Sequence, residues 1–293
     1  MLDYKPGIHK LIHHIDHLRK MKTGVVMAPI HVSIWPTVRC QLSCDYCCCK
    51  NEDRKHEDLS FYDFASAVNV LSKYGTKAIE FSGGGDPLLW PHLKEAVDLI
   101  HTKNIKMSLI TNGLALGGFD VSKFEWIRIS VSSMSQIRKV KIPKKARVSL
   151  SYILTEDIDI DELYKFAKEK NLITRVALPQ PNISDKPVKI KGYPFFFSKK
   201  EQGAPLGCYM PWIRAAIDWR GNFLSCPSVQ LVPEYKGRVD NRFKLCHVSK
   251  LEKWLQDNRA HDMGFKCSFC NCGKEYNDLM HSYFHGVKDA DFV

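Results

Sequence analysis

Cysteine is missing from the middle of this 293-residue chain: residues 50–207 contain none. The 11 cysteines fall instead into two groups, Cys40, Cys44, Cys47, Cys48 and Cys49 near the start, and Cys208, Cys226, Cys246, Cys267, Cys270 and Cys272 after the gap. Small core cysteines would be scattered, whereas two separate metal sites would leave such a gap. Long apolar runs are also lacking; none approaches the roughly 20 residues that cross a bilayer. Residues 1–20, MLDYKPGIHKLIHHIDHLRK, have no continuous apolar core of the signal-peptide kind. These absences point to the cytosol, where clustered cysteines are metal ligands or catalysts sooner than disulfides. There is no internal repeat and no low-complexity segment. Acidic residues are in deficit, 32 against 43 Lys and Arg, for a net charge of +11. Residues 137–200 hold 15 Lys and Arg against 7 Asp and Glu. Such a basic face suits an anionic partner, or only keeps the protein in solution.

What is present is otherwise ordinary. The apolar fraction of 44% and charged fraction of 26% are those of a soluble globular protein. The length allows one large domain, or a large domain with an appendage. Ile8, Leu11, Ile12, Ile15 and Leu18 recur at amphipathic-helix spacing. His9, His13 and His17, every four residues on that helix, read as its polar face rather than as a metal site. From residue 30 the pattern alternates. Strands are expected at Ile30–Trp35, Lys77–Ser82, Ile105–Thr111, Glu125–Ser132, Arg147–Thr155 and Thr174–Pro179. Helices are expected from Ser60 to Tyr74, from Pro91 to about Lys103 and over Asp161–Lys170, with Ser60 as a cap and Gly75 as a stop. Strands alternating with helices imply parallel pairing by right-handed crossovers. Six such units give the fold class α/β, an open partial (βα)6 barrel, with chemistry at the C-terminal strand ends. Residues 181–207, rich in proline, read as a linker. Arg214–Asp218 and Asn222–Cys226 flank Arg220-Gly221 as a hairpin, and Leu251–Asn258 as a short helix.

Cys40-x3-Cys44-x2-Cys47 follows the first strand directly. A loop of this size can wrap one corner of a cubic iron–sulfur cluster, and three thiolates leave one iron open, where four would close it. This motif resembles that of the radical S-adenosylmethionine superfamily. The resemblance extends to Tyr46, which it implies packs near the adenine, and to Gly83-Gly84-Gly85-Asp86-Pro87, like the glycine segment that holds the methionine amino group. The family more often has Glu where this chain has Asp86. Thr111-Asn112-Gly113 resembles the segment after the third strand, with Asn112 at the cofactor, and Ser130 falls where the family places a polar contact to S-adenosylmethionine. Cys48 and Cys49 depart from the pattern and read as buried neighbours. The resemblance implies that S-adenosylmethionine chelates the open iron and is reductively cleaved to a 5′-deoxyadenosyl radical, which takes hydrogen from the substrate. A strong reductant, a flavodoxin- or ferredoxin-like donor, is implied too.

The second group resembles the twitch and SPASM auxiliary-cluster domains that follow many such barrels. Cys208, Gly221-x4-Cys226 and Cys267-x2-Cys270 supply four thiolates for one auxiliary 4Fe-4S cluster, with Cys272 as the substitute and Cys246 as a core residue. A zinc knuckle is the alternative for this group. The expected organisation is a helical extension (1–28), a partial barrel (29–180), a linker (181–207) and a small C-terminal iron–sulfur cluster domain (208–293). The expected activity is hydrogen abstraction from a small-molecule or peptide substrate, the auxiliary cluster assisting oxidation or substrate binding. The 28 residues before the first strand are few for a leader-peptide-binding domain, which weighs against peptides. A first alternative is modification of a nucleotide or nucleic-acid base. It is suggested by the basic stretch Arg138–Arg147 and by the lysines flanking Tyr193, Phe195, Phe196 and Phe197. A second is a non-catalytic iron–sulfur electron carrier. No catalytic acid or base is identifiable.

Overall fold

A computed structural model of the chain describes residues 7–50, 52, 58–144, 146–153, 159–177, 196–197, 204–229, 241–265, 267, 270 and 273–286. The N-terminal segment opens with a 3-10 turn, Ile8–His14, that passes into helix α1, Ile15–Lys22. The amphipathic helix expected there is therefore split. Leu11 and Met21 are buried, while Ile12 and Ile15 face solvent.

Six strands follow in the expected order: His31–Ile34 (β1), Ala78–Phe81 (β2), Lys106–Thr111 (β3), Trp126–Val131 (β4), Val148–Ile153 (β5) and Ile173–Ala177 (β6). Each pairs in parallel with the next in sequence. The intervening helices are Phe61–Lys73 (α2), Leu93–Thr102 (α3), Met134–Lys139 (α4) and Ile160–Glu169 (α5). Helix α2 begins where the Ser60 side chain accepts from the Asp63 amide, and the chain leaves it through Gly75 at φ +95°. Asp159 caps α5 in the same way, accepting from the amides of Asp161 and Glu162.

Alternation along the strands divides the sheet into two faces. Val32, Ile34, Ile79, Phe81, Leu109, Ile127, Ile129 and Leu150 join Phe64, Val68 and Leu71 of α2 and Ala96 and Ile100 of α3 in the main apolar core. The residues between them on the strands, Ser33, Glu80, Ser108, Arg128, Ser149 and Arg175, are polar and occupy the opposite face. The sheet is open and unclosed.

The sheet continues beyond the six expected strands. Phe196–Phe197, inside the stretch expected as linker, forms a short strand β7 parallel to β6. After helix α6 (Met210–Ile213), strand β8 (Arg214–Ile217) pairs in parallel with β1. The hairpin is present: β9 (Asn222–Leu224) runs antiparallel to β8 through a turn at Gly221, φ +72°, in which Asp218 accepts from the amides of Arg220 and Asn222. Strand β10 (Lys244–His247) pairs with β9, giving, among the described residues, ten strands in the order β10-β9-β8-β1-β2-β3-β4-β5-β6-β7. Helix α7, Leu251–Asp257, forms as expected, and α8, Lys274–His285, was not expected. No helix among the described residues is long and apolar enough to cross a membrane.

Candidate functional site

Three segments that leave the sheet at the ends of β1, β2 and β3 meet. The amides of Gly85 and Asp86 donate to the carbonyls of Thr37 and Arg39, each at 2.7 Å, so the glycine turn lies against the start of the cysteine loop. A side chain at Gly83 would strike Trp35, one at Gly84 the Thr37 carbonyl, and one at Gly85 the Arg39 carbonyl. The glycines are thus required by the close approach of protein backbone. Thr37 and Arg39 are held in turn by Asp58, which accepts from the Thr37 hydroxyl at 2.6 Å and pairs with the Arg39 guanidinium at 2.8 Å.

Asp86 ties this pair of loops to the third. It is 3% exposed and accepts from the Leu88 amide (3.0 Å), the Thr111 hydroxyl (2.7 Å) and the Asn112 amide (2.7 Å). Burial raises its carboxyl above the ordinary aspartate range, with the Thr111 and Asn112 bonds opposing. Its oxygens are spent inside the protein, a positioning arrangement that the glycine pattern did not reveal. Asn112 reaches over the cysteine loop: its side-chain amide donates to the Gln41 side chain at 2.9 Å and lies 3.7 Å from Cys40 Sγ.

Cys40, Cys44 and Cys47 are each partly exposed on this loop, which turns through a bond from the Cys47 amide to the Cys44 carbonyl (3.1 Å). Of the two extra cysteines, Cys49 is buried at 2% exposure and Cys48 is half-buried, their sulfurs 3.7 Å apart. Bonding to Cys47 and Cys48, together with burial, pushes the Cys49 thiol well up. Tyr46 is half-buried beside Cys44, Cys47 and Tyr152, and burial raises its hydroxyl. Ser130 lies on β4, half-buried.

Gln136, on α4, is a residue that the sequence reading missed. It is 5% exposed and its side-chain amide donates to the carbonyls of Ser130 (3.1 Å) and Asn112, while its oxygen accepts from the Ser132 amide (3.1 Å). It therefore fixes the end of β4 to the end of β3. Ser133 caps the helix by accepting from the Gln136 amide (3.0 Å), and this Ser-x-x-Gln spacing was a usable signal.

In the second group, Cys208 is buried at 7% exposure, and burial first, then the nearby Cys267 and Cys270, push its thiol up to about 12. Cys226 and Cys267 both pack against a cluster containing Trp35, Val38, Trp219 and Phe243. Cys270 lies 3.7 Å from the side-chain amide of Asn277, which is 1% exposed and accepts from the Tyr209 amide at 2.7 Å. Asp262 accepts from the Cys208 amide at 2.8 Å. Asn277 and Asp262 were likewise missed. Cys246 is on β10 against the main core, and burial pushes its thiol up to about 12. Cys272 lies outside the described residues.

No three His, Cys, Asp or Glu side chains among the described residues converge on a single-ion site. Cysteines ligating different irons of one cube do not converge on a point, so a cluster requires no such site. The donor set itself suits such a group: three soft sulfur ligands on one short loop, accessible, and bordered by a turn that carries no side chains.

His17 Nε2 donates to the Trp212 carbonyl (2.9 Å), and His9 and His13 are exposed. Arg138, in the basic stretch, pairs with Glu162. Tyr193 and Phe195 lie outside the described residues.

Comparison with known proteins gives the same segment a family. Residues 34–147 match the model of the Radical SAM superfamily. The S-adenosylmethionine-dependent nucleotide dehydratase of Thermoplasmatales archaeon (strain ISO4-H5) is 27% identical over 119 residues, which cover 39% of this chain and 41% of that protein. The PqqA peptide cyclase of Gluconobacter oxydans is 35% identical over 81 residues, covering 27% of this chain and 22% of that protein. The chain thus matches less than half the length of either relative. Among solved structures, Streptococcus suis SuiB superposes with a TM-score of 0.52 at 14% identity, over 87% of this chain and 73% of that one. This likeness extends the shared fold past the matched segment, onto strands of the C-terminal part. The cysteine loop, glycine turn and Asn112 that touch one another all lie within residues 34–147, the segment that matches the radical SAM superfamily.

Proposed function

We propose that the protein is a radical S-adenosylmethionine enzyme that abstracts hydrogen from a small-molecule or peptide substrate. The observation that carries this reading is the bonded junction of the three loops: Gly85 and Asp86 to Thr37 and Arg39, Asp86 to Thr111 and Asn112, and Asn112 over Cys40. Cys40, Cys44 and Cys47 would hold the cluster, and the turn Gly83–Gly85, Asn112 and Ser130 would line the S-adenosylmethionine site, with Tyr46 at its adenine end. A cluster held there would supply the electron for reductive cleavage of S-adenosylmethionine. The chain's own part is positional. Asp86 and Gln136 lock the three loop ends, so the thiolates and the polar side chains meet the cofactor in one arrangement. Hydrogen abstraction from a peptide is the activity class suggested by SuiB, which has been solved with S-adenosylmethionine and with its precursor peptide SuiA, and by the PqqA cyclase relative.

The second cysteine group is proposed to hold an auxiliary 4Fe-4S cluster through Cys208, Cys226, Cys267 and Cys270, Cys208 lying near both Cys267 and Cys270. A flavodoxin- or ferredoxin-like donor would supply electrons. The test is anaerobic reconstitution with iron counting and a 5′-deoxyadenosine assay. About eight irons and release of 5′-deoxyadenosine are expected. Replacing Cys40, Cys44 and Cys47 together by Ala should abolish release and leave about four irons. Four irons in the unaltered protein would remove the auxiliary cluster, and zinc in the first loop would remove the radical chemistry.

A further inference from the structure

The polar face of the sheet carries more than the reaction proposed above uses. Arg128 sits in the middle of β4, between Ile127 and Ile129, which turn into the apolar core. Its guanidinium lies over the Trp126 ring at 4.9 Å, and its Nε is buried with no hydrogen-bond partner among the described residues. A buried cationic donor without an acceptor is costly, which marks a position meant to be completed by something else.

Its surroundings define what would complete it. Glu80 on the same face is engaged by Arg214 at 3.1 Å and by the Ser33 hydroxyl at 3.0 Å. The strand register sets Arg128 beside Ser149 and sets Ser151 beside both Ser130 and Arg175. A guanidinium on β4 and another on β6 therefore flank two serines of β5. The two arginines are near enough that Arg175, after burial, contributes to lowering the Arg128 pKa to about 10, with the Glu80 carboxylate opposing in part. Like charges held together in a low-dielectric setting are destabilising until an anion enters between them. Two planar forks and two hydroxyls outnumber the two oxygens of a carboxylate, and they suit the three outer oxygens of a phosphoryl group, which also brings the second negative charge.

We propose that Arg128 and Arg175, with Ser149 and Ser151, receive a phosphoryl group of the substrate on the inner face of the sheet. Arg128 is two residues before Ser130 on β4, about 7 Å along the strand. The phosphoryl group would thus lie beneath the loop junction, with the rest of the molecule directed toward the cofactor end. The substrate class is a phosphorylated small molecule, of which a nucleotide is one example. Only the identification of this anion as part of the substrate rests on the proposed radical chemistry; the anion site itself does not.

Titration calorimetry of the reconstituted full chain with inorganic pyrophosphate tests it, at constant ionic strength because screening alters any charge contact. The unaltered protein should bind saturably, with citrate, a polycarboxylate, binding more weakly. Arg128→Met should weaken pyrophosphate at least about tenfold and Arg128→Lys less, while Arg138→Met, on the surface, should leave the affinity unchanged. If Arg128→Met does not fold, Arg128→Lys decides, because loss of the fork must weaken binding severalfold. Absence of saturable binding, undiminished binding by the Arg128 variants, or citrate binding as tightly as pyrophosphate overturns the proposal. The 5′-deoxyadenosine assay fails or succeeds separately: binding without cofactor cleavage sinks the radical reading alone, and cleavage without binding sinks the anion site alone.

Discussion

At the scale of single residues, the junction depends on atoms that are absent as much as on those present. Gly85 has no side chain because the Arg39 carbonyl occupies the space where one would be. Gly118, by contrast, has open space around it and is glycine for its backbone angle, φ +92°. The two should respond differently to the same change. Gly85→Ala must push the cysteine loop away from the glycine turn, at about 1–3 kcal/mol, and lose the N-terminal cluster's iron. Gly118→Ala should cost about 1–2 kcal/mol of local strain and retain that iron. Iron analysis with a thermal melt checks both, and equal iron in the two variants would mean that the turn does not set the loop. The glycine run was visible in the sequence. Its physical reason was not, because only the folded chain brings the carbonyls of residues 37 and 39 onto it.

At the scale of elements, helix α1 is docked by polar as well as apolar contact. Met21, with Leu11 of the preceding turn, is buried with Tyr209 and Trp212, and His17 meets the Trp212 carbonyl at 2.9 Å. Burial pushes the His17 pKa from 6.5 down to about 4, against the opposing effect of that bond. A histidine depressed in the folded state favours folding fully above its unfolded pKa, and that contribution disappears as the pH falls through the folded value. The melting temperature should therefore decline between pH 6.5 and about 4 through this residue. His17→Gln should show a shallower decline over that window, and parallel curves would place the loss elsewhere. The periodicity of residues 8–18 revealed a helix but misjudged which apolar residues dock, since Ile12 is 66% exposed. Periodicity reports a face, whereas the partner surface, supplied by residues some 190 positions away, selects the part of it that is covered.

At the scale of the whole molecule, the C-terminal part completes the sheet that the N-terminal part begins. Strand β8 covers the edge of β1, and Trp35 and Val38 from the first loop share a cluster with Trp219, Leu224 and Phe243. The cysteine loop is therefore backed on one side by residues beyond position 204. A chain ended at residue 203 would expose the β1 edge together with Trp35 and Val38, and unpaired edges of this kind associate. Such a truncation should be insoluble or melt without cooperativity. A soluble fragment with one sharp transition would show that the first six strands stand alone.

Sequence alone settled the six alternating strands, the caps at Ser60 and Gly75, and the spacing of Cys40, Cys44 and Cys47, because period, capping chemistry and ligand spacing are local properties of the chain. It could not settle that β8 returns to pair with β1, that Asp86 spends its carboxylate on Thr111 and Asn112, or that Gln136 bridges two strand ends. Those are contacts between residues distant in sequence, and no local pattern encodes which of them will meet. Arg128 belongs to the same class: as one letter in a β-strand it is unremarkable, and it acquires meaning only when folding half-buries it and leaves its Nε without a partner among the described residues.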